Sequence, residues 1–209
     1  TPLPLALGGT QVFVTDSRMV ERAAPLFFVA PGQVNYQLPL GTAPGTATVT
    51  IAAPDGTVAR ETINVTNVAP ALFTANANGQ GVPVGVLLRV RNGVQSYEAI
   101  ASFDNTTRRY VSAPIDMGGP NDEVYLILFG SGWRNRAASG VVVARATTPN
   151  APTAVNVDLP VLFAGPQGGL VGVDQVNLRL PRALAGRGEM ELALMMDGRT
   201  ANPVRVLLR

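Results

Sequence analysis

The chemistry open to this chain is limited by its side chains, because its 209 residues contain no cysteine, histidine or lysine. Nucleophilic triads, thiolate or imidazole metal sites and Schiff bases are therefore excluded. Acid–base catalysis would need two carboxylates, as in glycoside hydrolysis. Glu189 and Glu191 lie two residues apart on a predicted strand and so share one face. A solvated strand face is the favoured explanation of this pair, and we predict a protein that is not an enzyme and needs no cofactor.

A second group of acids lies in the polar stretch 116–123, which reads DMGGPNDE. Its carboxylates, on Asp116, Asp122 and Glu123, are the oxygen ligands that Ca²⁺ takes from loops. The spacing matches no defined calcium loop, and an exposed turn between two strands is the alternative. These three residues are weak calcium candidates.

Three further residues have types suited to carbohydrate. Trp133, in a glycine-flanked segment, could stack on a sugar, and Tyr97 is a second candidate aromatic. Trp133 could instead close the end of a sandwich. Asn105 begins an N-x-T sequon in a predicted turn and is the candidate glycosylation site.

The elements that position these residues are predicted from a repeat. The pattern Q-V-N-x-x-L-P occurs at 33–39 and again at 175–181, an offset of 142 residues (175 − 33). The pair Asp55-Gly56 recurs at the same offset as Asp197-Gly198. The apolar segments before the two copies, 25–31 and 160–166, match at an offset of 135 (160 − 25). The second copy therefore has seven additional residues, roughly 167–173, and the chain contains one structural unit twice.

Short strands are predicted throughout, because β-branched residues alternate with polar ones between frequent Gly and Pro. We predict an all-β protein with two Ig-like β-sandwich domains in tandem, related by the internal repeat. The first spans residues 1–70, a linker covers 71–81, and the second spans 82–209. The second begins with an extra hairpin, whose turn is Asn92-Gly93 and should be type I′.

The amino-acid composition predicts a weakly charged surface. Charged residues make up 14% of the chain, against about 25% in typical domains, and the net charge is +2. Such a surface suits contact with other protein. The 16 arginines are scattered and predict no nucleic-acid partner. The longest apolar runs have strand length, so no membrane insertion is expected.

Several long strings resemble one family. These are PLFFVAPGQVNYQLPLGTAPGTATVTI (25–51), RVRNGVQSYEAIASFD (89–104), VYLILFGSGWRNR (124–136) and the stretch 162–202 around the second Q-V-N. In this order they resemble the uncharacterised Solibacter-type C-terminal domain of secreted bacterial proteins. The resemblance implies a tandem Ig-like fold, export and a place near a C-terminus. It implies no activity and supplies no catalytic residues.

The expected function is that of an extracellular or cell-surface structural module. It would be a subunit of a polymer or filament, or the terminal domain of a surface protein, and would associate with itself or with other surface proteins through β-sheet edges. The candidate assembly segment is the apolar start of the chain, with Pro2, Leu3, Pro4, Leu5 and Leu7. It either begins its own sandwich or is donated to a neighbour. A module that binds a glycan or another surface ligand is the alternative.

Overall fold

The computed structural model describes residues 2–149 and 155–209, and in these the predicted all-β class is confirmed. No α-helix occurs among them, and the one helical element is a 3-10 turn at Arg182–Leu184. The chain divides into two compact units, Thr1–Asn67 and Val68–Arg209. Each is described by itself.

The smaller unit contains a five-stranded sheet and a separate hairpin. Within the sheet the order is β1-β2-β6-β7, with β3 also paired to β2, and the hairpin is β4–β5. The strands are β1 (Ala6–Leu7), β2 (Thr10–Thr15), β3 (Glu21–Ala23), β4 (Leu26–Ala30), β5 (Gln33–Tyr36), β6 (Gly45–Ala52) and β7 (Val58–Val65).

Alternation along the central strands builds the core of this unit. Val12 and Val14 of β2 face inward and are buried, as are Ala47 and Val49 of β6. Ile51 continues the inward series on β6 but is only partly buried. A strand with apolar residues at every second position must be covered on that face, and here the cover is incomplete.

The larger unit is formed by two six-stranded sheets and a further hairpin. One sheet has the order β10-β9-β14-β18-β17 with β8 on β14; the other has β13-β21-β19-β15-β16 with β20 on β19; the hairpin is β11–β12. The strands are β8 (Ala71–Leu72), β9 (Gly85–Arg91), β10 (Val94–Ala99), β11 (Ala101–Asp104), β12 (Arg109–Ser112), β13 (Pro114–Ile115), β14 (Glu123–Ser131), β15 (Val142–Thr147), β16 (Asn156–Leu159), β17 (Val161–Pro166), β18 (Asp174–Arg179), β19 (Gly188–Met196), β20 (Arg199–Thr200) and β21 (Val204–Leu208).

The inner faces of these two sheets share one hydrophobic core, an arrangement consistent with a β-sandwich. Leu126 and Leu128 of β14 belong to it, and so do Val204 and Val206 of β21. On β19 the apolar residues at alternate positions, opposite in face to Glu189 and Glu191, are all buried. These are Met190, Leu192, Leu194 and Met196.

The two Q-V-N stretches form the second strands of two hairpins with corresponding registers. In β4–β5, Phe28 pairs with Asn35, and the register shifts between Leu26 and Phe28. In β17–β18, Phe163 pairs with Asn177, and the shift lies between Val161 and Phe163. Both hairpins therefore carry the same irregularity at the same distance from their Asn.

The polar side chains of these stretches also make the same hydrogen bond. Gln33 Nε2 donates to Asn35 Oδ1 over 2.8 Å, and Gln175 Nε2 donates to Asn177 Oδ1 over 2.8 Å. The hairpins differ in their connection, which is Pro31-Gly32 in the first copy and the stretch 167–173 in the second. The longer loop of the second copy thus leaves the pairing of its two strands unchanged.

Residues 71–81, predicted as a linker, lie within the larger unit. Leu72 is buried in strand β8, which pairs with β14. The Asn202 side chain accepts from the Leu72 N–H over 2.8 Å and donates to the carbonyl oxygens of Leu72 and Gly79. Both backbone pairing and the Asn202 side chain therefore hold this segment in the larger unit.

The Asn92-Gly93 turn has the predicted type I′ conformation. Asn92 has a φ of 50° and Gly93 a φ of 78°, and Arg91 pairs with Val94 across the turn. Both central residues must have positive φ in this turn.

We expect Asn92→Pro to destabilise the larger unit by more than about 1 kcal/mol, because proline fixes φ near −65°. Urea denaturation followed by circular dichroism measures this. Asn92→Gly is the control and should stay close to the wild type, since glycine accepts positive φ. Equal midpoints for Asn92→Pro and the wild type would contradict the turn assignment.

Candidate functional site

The apolar segment at residues 2–7 is attached to its own unit by few contacts. Ala6 and Leu7 pair with Gln11 and Thr10 of β2, and the Pro4 carbonyl oxygen accepts from the Leu26 N–H over 2.8 Å. Leu5 nevertheless keeps 50% of its surface exposed, and Leu7 is also exposed. Pro2 is exposed and Leu3 half-buried. In a single copy, then, the segment pairs in cis but leaves its leucines poorly covered.

The hairpin β4–β5 lies beside this segment and carries exposed apolar side chains. Phe27 and Phe28 of β4 are exposed, and Leu38 and Leu40 follow β5 with substantial exposure. Among the described residues, β5 pairs with β4 and with no other strand. The other backbone edge of β5 is therefore open.

The corresponding edge in the larger unit is covered. There β18 pairs with β17 on one side and β14 on the other, and the Leu180 N–H donates to the Val124 carbonyl oxygen over 2.9 Å. Leu180 is the leucine of Q-V-N-x-x-L-P and is 3% exposed, whereas its counterpart Leu38 is 37% exposed. The same leucine is covered where a third strand is present and uncovered where it is absent.

The inward residues of the two hairpins show the same difference. Val176 and Leu178 of β18 are buried, while Val34 and Tyr36 of β5 are only partly buried. Burial also raises the pKa of Tyr36 above its ordinary value of 10.0. We regard the open edge of β5, from Gln33 to Leu38, as the candidate functional site and call it the β5 edge.

Strand β7 also pairs with one strand only, β6, among the described residues, but its composition differs. It carries Arg60 and Glu61, and most of its residues are exposed. Charged side chains are a common protection of edge strands against further pairing. The apolar β5 edge has no charged residue in 33–38.

Asp16, which follows β2, is a buried structural carboxylate. It accepts hydrogen bonds from the backbone N–H groups of Arg18, Val20 and Ala43 and from the Arg22 guanidinium. The donation from Ala43 contributes most to holding the pKa of Asp16 well below its ordinary value of 3.8, although burial opposes it. The carboxylate joins the β2–β3 turn to the segment that precedes β6.

Asp174 has a similar role in the larger unit. Its Oδ2 accepts from the backbone N–H groups of Trp133 and Arg134 over 2.9 and 3.1 Å, and its Oδ1 accepts from the Arg134 guanidinium. The carboxylate is completely buried. Sequence alone does not reveal either role, because Ala43 lies 27 residues from Asp16, and Trp133 and Arg134 lie 41 and 40 residues from Asp174.

Trp133, a predicted glycan-binding residue, is fully buried and cannot stack on a sugar. Its indole Nε1–H donates to the Gln175 carbonyl oxygen over 3.3 Å. The ring belongs to the hydrophobic core of the larger unit. Tyr97 is 65% exposed on β10 and remains accessible, and Asn105 is exposed in the β11–β12 turn, where glycosylation stays a prediction.

The calcium candidates are neutralised by arginine instead of meeting at one point. Asp122 accepts from Arg91 over 2.6 Å, and this hydrogen bond is the main cause that lowers the pKa of Asp122. Glu123 pairs with Arg179, and Asp116 lies 3.7 Å from Arg209. Among the described residues no group of three or more metal-ligating side chains occurs.

Glu189 and Glu191 also face arginine. Both carboxylates reach Arg205 of β21, at 3.2 and 3.5 Å. The three side chains lie on the outer face of the sheet, because the residue between the two glutamates, Met190, is buried in the core. The two glutamates and Arg205 therefore form a solvated ion-pair face.

No family model, curated protein or solved structure matches this chain. In the described parts of the chain, no helix combines the length and the apolar character needed to cross a membrane.

We expect Asp16→Asn to lower the stability of the smaller unit at pH 7, because an amide has only one acceptor oxygen. Its NH2 group would face either the N–H groups of Arg18 and Val20 or those of Ala43 and Arg22, and would leave these donors without an acceptor. A depressed pKa adds stability above the unfolded value, about pH 4, and this stability is lost as the pH falls. The difference in denaturant midpoint between the wild type and Asp16→Asn should therefore shrink below about pH 4.

Asp158→Asn is the matched control, since Asp158 forms an exposed ion pair with Arg145. Exposed pairs contribute little, so its midpoint should stay close to that of the wild type. A midpoint of Asp16→Asn equal to that of this control at pH 7 would contradict the structural role of Asp16.

Proposed function

We propose that this protein is a non-enzymatic, extracellular structural module that associates with other copies or other surface proteins through β-sheet edges. It would serve as a subunit of a surface polymer or as the terminal domain of a surface protein. One observation carries the proposal. The β5 edge leaves Leu38 exposed, whereas the equivalent edge of the larger unit is covered by a strand.

We also propose that both units are Ig-like sandwiches derived from one repeated unit. The strand order β3-β2-β6-β7 corresponds to β16-β15-β19-β21. Gly45 pairs with Val65 in the smaller unit, and Gly188 pairs with Leu208 in the larger, so both strands are offset by 143 residues (188 − 45 and 208 − 65). On this reading the smaller unit lacks the counterparts of β9, β10 and β14.

The incomplete layer explains why association would be favourable. An inward apolar face that its second layer covers only in part gains free energy when the rest of it is buried, at about 25 cal/mol per Å². Ile51, Ile63 and Tyr36 are partly exposed members of that face. Because only 14% of the residues are charged, charge repulsion opposes such contacts only weakly.

Location outside the cell is supported by the resemblance to a domain of secreted proteins. An absence of catalytic activity is supported by the arginine partners of Glu189 and Glu191 and by the lack of histidine, cysteine and lysine. Glycan binding has weaker support, because the burial of Trp133 leaves only Tyr97 of the two candidate aromatics. We therefore do not adopt it.

Sedimentation velocity across a wide concentration range tests the proposal. We expect species larger than the monomer that increase with concentration and dissociate on dilution. Because main-chain hydrogen bonds and apolar contacts would hold them, they should persist in about 1 M salt, where charge interactions are screened. A monomer at every concentration would refute association through edges.

A further inference from the structure

We propose that the β5 edge accepts residues 3–7 of a second copy of this chain as an added antiparallel strand. This inference rests on the proposed function and specifies its acceptor, its donor and their register. It is argued from the strand that already covers the equivalent edge of the larger unit.

That covering strand is β14, and its pairing defines what the β5 edge lacks. Leu126 lies opposite Leu178, and Leu128 lies opposite Val176. The Leu180 N–H donates to the Val124 carbonyl oxygen at the end of the same ladder. The inward side chains of β14 are thus Val124, Leu126 and Leu128, each buried.

When the pairing of β14 is transferred to the smaller unit, the three inward positions of the added strand face the residues of the first Q-V-N copy that correspond to Leu180, Leu178 and Val176. A strand added to β5 should therefore place apolar side chains opposite Leu38, Tyr36 and Val34. These residues are exposed or partly buried as they stand. The acceptor thus needs a segment with three apolar residues at alternate positions.

Residues 3–7 have this pattern. Leu3, Leu5 and Leu7 alternate as Val124, Leu126 and Leu128 do, and two glycines follow at positions 8 and 9. With Leu5 placed opposite Tyr36, Leu3 lies opposite Leu38 and Leu7 opposite Val34. All three leucines would then point toward the core of the neighbouring unit.

The prolines of the segment fit the same register. Because Val124 and Leu180 form a hydrogen-bonded pair, every inward position of the added strand turns its own N–H and C=O toward the acceptor. Pro2 and Pro4 fall on the other positions, whose backbone groups turn away. Their missing N–H groups therefore cost no hydrogen bond to β5, and they discourage a further strand on the outer side.

Release from the donor's own unit costs little. Within one chain the segment is held by the short β1–β2 pairing and by the Pro4–Leu26 hydrogen bond, while Leu5 is half exposed. Gly8 and Gly9 form the connection to β2, with φ of 55° and 80°. Each copy would give one strand and receive one, which is a head-to-tail contact that extends into an open chain.

Sedimentation of single variants is the first test. Leu5→Asp should weaken assembly at least about tenfold, because the leucine that fills the neighbour's core is replaced by a charge. The side chain is half exposed in the monomer, so thermal stability should hardly change. The matched control is Leu170→Asp, which places the same change on a 61% exposed leucine of the larger unit and should assemble like the wild type.

Disulfide trapping is the second test. The chain has no cysteine of its own that could form a competing disulfide. Leu5→Cys mixed with isotope-labelled Tyr36→Cys should give a mixed disulfide, identified by mass spectrometry, since opposed strand residues lie within disulfide reach. Ala6→Cys with Tyr36→Cys is the control and should give several times less. If Tyr36→Cys does not fold, Leu7→Cys with Val34→Cys tests the same register.

The outcomes separate this inference from the function on which it rests. Loss of assembly in Leu5→Asp together with the mixed disulfide supports the proposed register. Assembly that survives Leu5→Asp, with no disulfide above the control, overturns the strand donation but leaves association through another edge standing. A wild-type protein that stays monomeric overturns both.

Discussion

The structure depends on the requirement that the apolar face of a sheet be covered by a second layer. In the larger unit, β14 is essential to that cover. It is hydrogen-bonded to β9 and β8 along one edge and to β18 along the other, and its inward leucines, Leu126 and Leu128, are completely buried. Because its main chain is paired on both sides, the strand can be apolar throughout without forming an open edge. Among the described residues of the smaller unit no strand pairs with the second edge of β5, and Leu38 beside that edge is exposed.

A second constraint is how loops are fixed in a protein that contains no disulfide. Each unit uses one buried aspartate for this purpose, Asp16 in the smaller and Asp174 in the larger. The two carboxylates collect backbone N–H groups from turns that would otherwise be left unsatisfied, and each also pairs with an arginine. A buried carboxylate with several donors replaces the covalent link that other sandwich domains obtain from cysteine.

Much of the fold was predictable because strands obey a local rule. Alternation identified the inward residues of β19, and the Asn92-Gly93 pair identified a type I′ turn. The site was harder, because the partners are distant: Asp16 meets Ala43, and Trp133 meets Asp174. No local pattern reveals which loop folds over which, so neither the burial of Trp133 nor its contact with Asp174 can be predicted from the sequence.

Local similarity can also mislead about geometry. Asp55-Gly56 and Asp197-Gly198 match at an offset of 142, and positive φ occurs at both residues of the second pair but only at Gly56 of the first. In the proposed correspondence of the two units, the strands on either side are offset by 143 residues, with the pair Gly45–Val65 matching the pair Gly188–Leu208. Turn and strands would then differ in offset by one residue, which would account for a different turn between strands of the same register.

The residue types in the ion pairs of both units determine how the charge of the protein depends on pH. Every cationic side chain is an arginine, and there is no histidine or lysine. Carboxylates titrate near pH 4, tyrosine near 10 and arginine above 12, so no side chain of ordinary pKa changes its charge between about pH 6 and about pH 9. Over that range the side-chain charge and the ion pairs are constant. A change in acidity within this range would therefore leave the side-chain charge as it is, whereas it would change the charge of a protein that contains histidine.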